Sequence, residues 1–335
     1  MMFESSWNDM LDEFRAVGGT AENICLKEGA FGRGLFPADS AKPIKIHIPD
    51  SLLIDLNHAE FDENNVFHVS PTAQIGQREK VFLENYERDF SWGTGRADTE
   101  RLLQAMHSAP PALRQLLHTP FEAERWLAEP TPKAVQFAFF GSRVIAYKGR
   151  NVIMPIVELA NHGHLTRYNV TDGVGLSGQF SDEILVQYEF DDSWALFAKW
   201  GFASEEPFAL SLPLTIQSKS ASIVIRRNVG AVASAQKPFF PEVTVSGNTI
   251  DLAFMLLGSR QFPRLARGNF QRIMRDAGHA DANEAFDMIQ HINRMQFFEL
   301  IALSEGAAPL LRDVLRKVAL FQLRAMSHNV GTRDV

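Results

Sequence analysis

Asn151-Val-Ile-Met-Pro-Ile-Val-Glu-Leu-Ala-Asn-His-Gly163 is the stretch on which the reading of this chain turns. Its first half is an apolar run interrupted by Pro155, the pattern of a short strand, because proline has no N–H to give to a sheet ladder. Its second half closes on Asn161-His162, a polar pair set directly after buried-type residues. An asparagine there offers donors and an acceptor in one plane. Further on, Asp182-Glu-Ile-Leu-Val-Gln-Tyr188 repeats the apolar run and leads to Phe197-Ala-Lys-Trp-Gly-Phe202, an aromatic-glycine-aromatic corner. Either run alone is an ordinary strand and turn. The ordered set is much rarer.

Working outward, Ile44, Ile46 and Ile48 alternate with polar residues up to Pro49, as a half-buried strand requires. Before it, Gly29-Ala-Phe-Gly-Arg-Gly-Leu-Phe36 is a glycine-rich turn, either a plain connection or backbone brought close to a ligand. From 77 to 141 the pattern is one of short helices. Asp98-Thr99 is expected to cap a helix carrying Leu102, Leu103 and Met106, and Thr131-Pro132 to start another. Strands are expected at 144–147, 152–154 and 184–190, then at 210–216, where Pro213 makes an edge position.

Beyond Gly247 the period is helical, with Phe286, Ile289, Ile292 and Met295 on one stripe and Leu311, Val314, Leu315, Val318 and Phe321 on another. A boundary at 240/241 falls in a proline-interrupted loop, 234–241. Arg264, Arg267, Arg272 and Arg275 read as a solvated helical face.

The 335 residues suit two domains with cores of their own. A single cysteine, Cys25, excludes an intrachain disulfide and a thiolate-rich zinc site. A formal charge of -7 argues against a general nucleic-acid surface and suits a basic, lysine-bearing partner. There is no apolar run of bilayer length, and the first residues lack the pattern of a secretory signal, so a cytoplasmic protein is expected.

Gly32-Arg-Gly34, Ser142-Arg143, Asn161-His162, Tyr168 and Trp200-Gly-Phe202 occur in this order, and with this spacing the chain resembles the SET-domain lysine methyltransferases of the Rubisco large-subunit methyltransferase type. The resemblance covers nearly the whole chain. It implies an α+β fold: a mostly-β SET core of short strands closed by a pseudoknot, with a helical insertion at 77–141 (together 1–240), then a helical, substrate-binding-like domain at 241–335. It also implies S-adenosylmethionine as cofactor, a target lysine on a protein substrate, and no metal, membrane or nucleic acid.

The same resemblance distributes the roles. Arg143 takes the cofactor's carboxylate, which a planar guanidinium can hold with two parallel hydrogen bonds. The backbone of Phe31, Gly32, Arg33 and Gly34 lies alongside. Asn161 and His162 hold the amino group and the adenine edge, and Glu158 stands where the family often has aspartate, its role open. His162 and His164 lack the cysteines or carboxylate pattern of a metal site. Tyr168 matches the family's substrate-contacting tyrosine, while Tyr188 is either a channel wall or a packed core aromatic.

Trp200 departs from the pattern, standing where the family has a tyrosine. A phenol oxygen there stabilises a positive transition state. Indole has no acceptor and attracts a cation only through its face. Catalysis is then weakened, or its hydroxyl is supplied by Tyr168 or Tyr188, or the chain is a silent SET-fold binding module.

Overall fold

The computed structural model describes residues 2–227 and 239–328; of the expected boundary loop, 234–238 lies outside the described residues. The architecture is the expected α+β mixture of small sheets and helices. The chain divides into two compact units, Met1–Glu100 with Thr131–Glu189, and Arg101–Pro130 with Phe190–Val335. Among the described residues no helix is long and apolar enough to cross a membrane.

In the first unit the expected strand Ile44–Ile48 runs antiparallel between Thr20–Glu22 and Val174–Gly178, with its three isoleucines buried. A hairpin, Ile24–Gly29 with Gly32–Pro37, turns through Ala30 and Phe31. The quoted stretch begins as a strand, Arg150–Ile153, paired with Ile54–Asp55 and Val144–Tyr147. Residues 152–154 and 156–160 are buried almost without exception, so the run is driven by the removal of apolar surface from water. Ile156 takes a left-handed φ of 68°. That is a strained conformation for a β-branched residue, worth roughly 1–3 kcal/mol. The single helical turn Val157–Leu159 follows, then the strand Asn161–Thr166. This strand pairs parallel with Leu185–Val186, in the register Asn161↔Leu185 and His162↔Val186. The two apolar runs singled out in the sequence are therefore neighbours. A Cβ on Gly163 would come 2.6 Å from that of Leu185, which is why glycine ends the motif.

The helical insertion contains Gln77–Asp89, Trp92–His107, Pro111–His118, Glu124–Leu127 and Pro132–Gly141. Thr131 caps the last as expected, its hydroxyl accepting from Ala134 N–H, with Pro132 in the first turn. Asp98 and Thr99 do not cap a helix; they lie inside one that starts at Trp92. The reason is tertiary: Trp92 is buried against Phe61, Phe139 and Phe140, and that packing extends the helix beyond its local signal. The strand expected over 184–190 shrinks to Leu185–Val186.

In the second unit the strand expected over 210–216 is two strands. Phe208–Leu210 pairs with Leu256–Ser259, while Leu214–Gln217 forms the edge of a four-stranded sheet, with Pro213 breaking the run between them. Helical character does not begin at 247. Strands Val243–Ser246, Thr249–Leu252 and Leu256–Ser259 come first, and helices Leu265–Asp276, Ala282–Ser304 and Pro309–Ser327 follow. The alternation of buried Ile250 and Leu252 with half-exposed neighbours is the strand period that the helical reading overlooked. Met295 is 53% exposed, and buried Asn293 takes its place on the stripe, because Asn293 Nδ2 donates to Ser211 Oγ while its Oδ1 accepts from Leu212 N–H. Arg267 and Arg272 are more than a solvated face, since they lie over the rings of Phe286 and Phe240.

Candidate functional site

All of the site residues expected from the sequence except Trp200 belong to the first unit. The hairpin brings Gly29 and Gly32 opposite each other at its turn, with Phe31 at the tip, 63% exposed. Arg33 points away from the hairpin, its Nη2 donating to Phe90 O and Thr94 Oγ1. Its carbonyl accepts from Asn161 Nδ2 at 3.3 Å, and the same nitrogen donates at 2.6 Å to Glu183 Oε1. Two acceptors on the amino side fix the amide's orientation and leave Oδ1, among the described residues, accepting nothing. Gly34 permits this: a Cβ there would collide with both Glu183 Oε1 and Asn161 Nδ2.

Behind the strand lies a buried polar cluster. Glu158, its side chain almost wholly buried, accepts from Tyr86 OH at 2.9 Å and faces Arg143 Nε at 3.6 Å. That separation is too long for a hydrogen bond, and Glu158 Oε2 has none among the described residues. Burial pushes the Glu158 carboxyl up, outweighing the pull of Arg143. Glu87, wholly buried nearby, is pushed well above the ordinary range by burial first and by Glu158 second. Its Oε2 accepts from Trp92 N–H at 3.3 Å, while Oε1 has no hydrogen-bond partner among the described residues. Arg143 keeps an open side. Its guanidinium stacks 3.7 Å from the centre of the Phe139 ring and donates to Ser142 Oγ and Phe139 O.

The two tyrosines differ. Tyr188 is tied down: its hydroxyl donates to Ala160 O at 2.8 Å and its N–H to His162 Nδ1 at 3.3 Å, with the two rings 5.3 Å apart. Burial pushes its phenol up to about 12, with Arg143 pulling it down and Glu158 and Glu183 pushing it up, so all three lie within electrostatic reach. Tyr168 has a buried hydroxyl with no hydrogen-bond partner among the described residues. Burial, then Tyr188 and Glu158, raise it well above the usual phenol value. A buried hydroxyl left unpaired costs about 1–3 kcal/mol unless something arrives to use it.

Trp200 lies in the second unit, at the end of the helix Ser193–Trp200. Gly201 closes this helix at a φ of 79° and packs so tightly that a Cβ would meet Leu102 and Trp126. The terminal carbonyls are taken by Trp126 Nε1 on Ala198 and Arg125 Nη1 on Lys199. Lys199 Nζ stands 5.7 Å from the Trp200 ring centre.

Sequence reasoning missed Glu183, Glu87 and Tyr86. Glu183 carries one local hint, an acid directly before the apolar run Ile184-Leu-Val. Tyr86 and Glu87 carry none, because their pairing depends on Glu158, far away along the chain.

Compared with known proteins, the chain matches no family model. It matches no curated protein. Solved structures that resemble it include the SET domain of LSMT bound to lysine and AdoHcy, 12% identical over 96% of this chain and 89% of that one, with a TM-score of 0.43. Rubisco LSMT bound to AdoMet is 12% identical over 96% and 90% at a TM-score of 0.43. Rubisco LSMT bound to Sinefungin and Monomethyllysine is 13% identical over 96% and 89% at 0.40. Likeness at that level leaves the assignment to the residues themselves.

Proposed function

We propose that this chain is a cytoplasmic SET-domain protein-lysine methyltransferase that uses S-adenosylmethionine. Residues 1–240 form the SET part with its helical insertion, and 241–335 a substrate-binding part whose helices begin at Leu265. The observation that carries the reading is Asn161, held between the hairpin and Glu183 with its acceptor oxygen open among the described residues, on the strand whose next residue, His162, accepts from Tyr188 N–H.

The residues fit the cofactor's chemistry. Arg143 has an open guanidinium for the carboxylate, Asn161 Oδ1 an acceptor for the amino group, and the glycine hairpin bare backbone that admits close approach. His162 and the backbone around it are assigned to the adenine edge from the sequence resemblance, and Glu158 holds Arg143 from behind. When bound, S-adenosylmethionine supplies a methyl group on a sulfonium, open to in-line displacement by a neutral amine.

What the chain must do is deliver that amine dry and aligned. Tyr168 and Tyr188 are suited to walls of such a channel, since desolvation lowers a lysine's pKa. Neither phenol is a general base at neutral pH, because burial holds both protonated. They act as oriented dipoles, and the Tyr168 hydroxyl, unpaired among the described residues, is the one available to meet the nucleophile. Trp200 is assigned to the family's tyrosine position from sequence order alone.

The test is calorimetric titration of the purified protein with S-adenosylmethionine. Micromolar binding by the native chain, weakened about a hundredfold in Arg143→Ala, is expected; no binding by the native chain would end the methyltransferase reading.

A further inference from the structure

Glu183 is a buried acid that forms no ion pair among the described residues. It is 8% exposed, and among the described residues its one hydrogen bond is the 2.6 Å bond from Asn161 Nδ2. A buried charge left in this state is costly, and proteins ordinarily pair it with a cation or keep it hydrogen-bonded on several sides. Here the surroundings have been cleared instead. Glycines occupy both hairpin positions that face the carboxylate. A Cβ on Gly29 would come 2.8 Å from Oε2, and one on Gly34 would collide with Oε1. The hairpin gives the carboxylate two bare stretches of backbone, and a third neighbour, Asn161, presents an acceptor oxygen that is open among the described residues.

We infer that Glu183 is a cofactor-binding residue whose carboxylate neutralises the α-ammonium of S-adenosylmethionine, together with Asn161 Oδ1. This rests on the methyltransferase reading and gives it a feature absent from the sequence analysis: a full negative charge, rather than an amide dipole alone, at the amino end of the cofactor. The arrangement divides the amino-acid moiety between two charges of opposite sign, the Arg143 guanidinium for the carboxylate and Glu183 for the ammonium. A zwitterion is recognised best by such a pair, because each charge-assisted hydrogen bond exceeds a neutral one. Glu183 contributes to the electrostatics at Tyr188, as does Arg143, so both ends lie within reach of the same phenol.

The competing role is structural: Glu183 would only orient Asn161. Glu183→Gln separates the two, since the amide keeps an acceptor for Asn161 Nδ2 and removes the charge. The ligands are S-adenosylmethionine, S-adenosylhomocysteine, and S-adenosylhomocysteine lacking the α-amino group, each titrated into the native protein and the variant, with Tm as the folding control. The expected result is a loss of roughly 10-fold to 100-fold in affinity for both amino-bearing ligands, and no loss for the deaminated one. Gly34→Ala, which drives a methyl group into the carboxylate, should reproduce that selectivity. Equal losses for all three ligands, or none, would make Glu183 structural and overturn the assignment. A loss confined to S-adenosylmethionine would place the carboxylate at the sulfonium and overturn it as well. Failure of the native protein to bind any of the three would remove the methyltransferase reading, and this inference with it.

Discussion

Each unit buries a cluster of acids beside an arginine, and the two clusters are finished differently. In the second unit Asp191 and Asp192 are saturated. Asp192 caps the helix Ser193–Trp200 by accepting from Ala195 N–H at 3.0 Å, accepts from Leu210 N–H at 2.9 Å, and pairs with Arg227, whose side chain is 9% exposed. Asp191 accepts from Asp192 N–H and Lys199 Nζ, and stands 3.6 Å from Arg227. In the first unit Glu87, Glu158 and Tyr168 each keep an atom without a hydrogen-bond partner among the described residues, and Arg143 reaches Glu158 only at 3.6 Å. A saturated cluster is a joint. An unsaturated one keeps hydrogen-bonding capacity that only a ligand or water can use, and folding stability alone would have selected against it.

The largest effect should come from breaking the saturated side. Asp192→Ala removes a helix cap, one acceptor for a strand N–H and the partner of a buried guanidinium together. Loss of one member of a buried pair costs about 3–5 kcal/mol, read as a fall in Tm of roughly 10 °C. A fall of only a degree or two would mean that the cluster is not the joint its geometry indicates. On the unsaturated side the order reverses. Arg143→Ala should lower affinity for S-adenosylmethionine by about a hundredfold, the scale of a lost charge-assisted pair, while Tm moves by only a few degrees. If both variants lost stability and spared binding, the distinction between joint and site would be gone.

Trp200→Tyr sharpens the comparison from a third direction. The helix end that carries Trp200 is held by Trp126 and Arg125 through backbone carbonyls, and Gly201 supplies the turn, so the indole is not needed to close the helix. Tm should stay within about 1 °C. If Trp200 weakens a methyltransferase by lacking the phenol oxygen, the tyrosine variant should transfer methyl groups from labelled S-adenosylmethionine roughly ten times faster. An unchanged rate in an active enzyme would show that Trp200 is not the weak point, and no transfer by either protein would mark a silent SET-fold module.

What the sequence disclosed and what it hid follow the same physical line. Period-two alternation at Ile44, Ile46 and Ile48, the Thr131-Pro132 start and the order of Gly34, Arg143 and Asn161 are local signals, and the structure returns the strand and the cap where they were read. The parallel pairing of Asn161 with Leu185 joins the two runs that drew attention first. What stayed hidden depends on contacts distant in sequence. Trp92 starts its helix early because Phe139 and Phe140 bury it, and Val243–Ser246 is a strand through its pairing with Thr249–Leu252 despite being exposed along its length. Glu183 and Glu87 look like ordinary surface acids until the fold buries them. Burial of a charge is a property of the fold, and no periodicity announces it.

The smallest effect is also the one whose sign is hardest to guess without working it through. Glu87 has its carboxyl raised above the ordinary value of 4.5 by burial and by Glu158. Between the unfolded value and the raised one, the native protein holds a proton that the unfolded chain has released. The contribution of Glu87 to stability is therefore fullest below about pH 4.5 and is lost as pH rises through the native value. Glu87→Gln keeps an acceptor for Trp92 N–H and cannot ionise, so it escapes that loss. At pH 4 the variant and the native protein should melt together. By pH 7.5 the variant should be higher by roughly 3 °C. Scanning calorimetry across that range decides the matter. A variant that melts lower than the native protein at neutral pH would mean that Glu87 works as a carboxylate in the folded chain, and the first unit would then hold a joint of its own rather than capacity kept for a ligand.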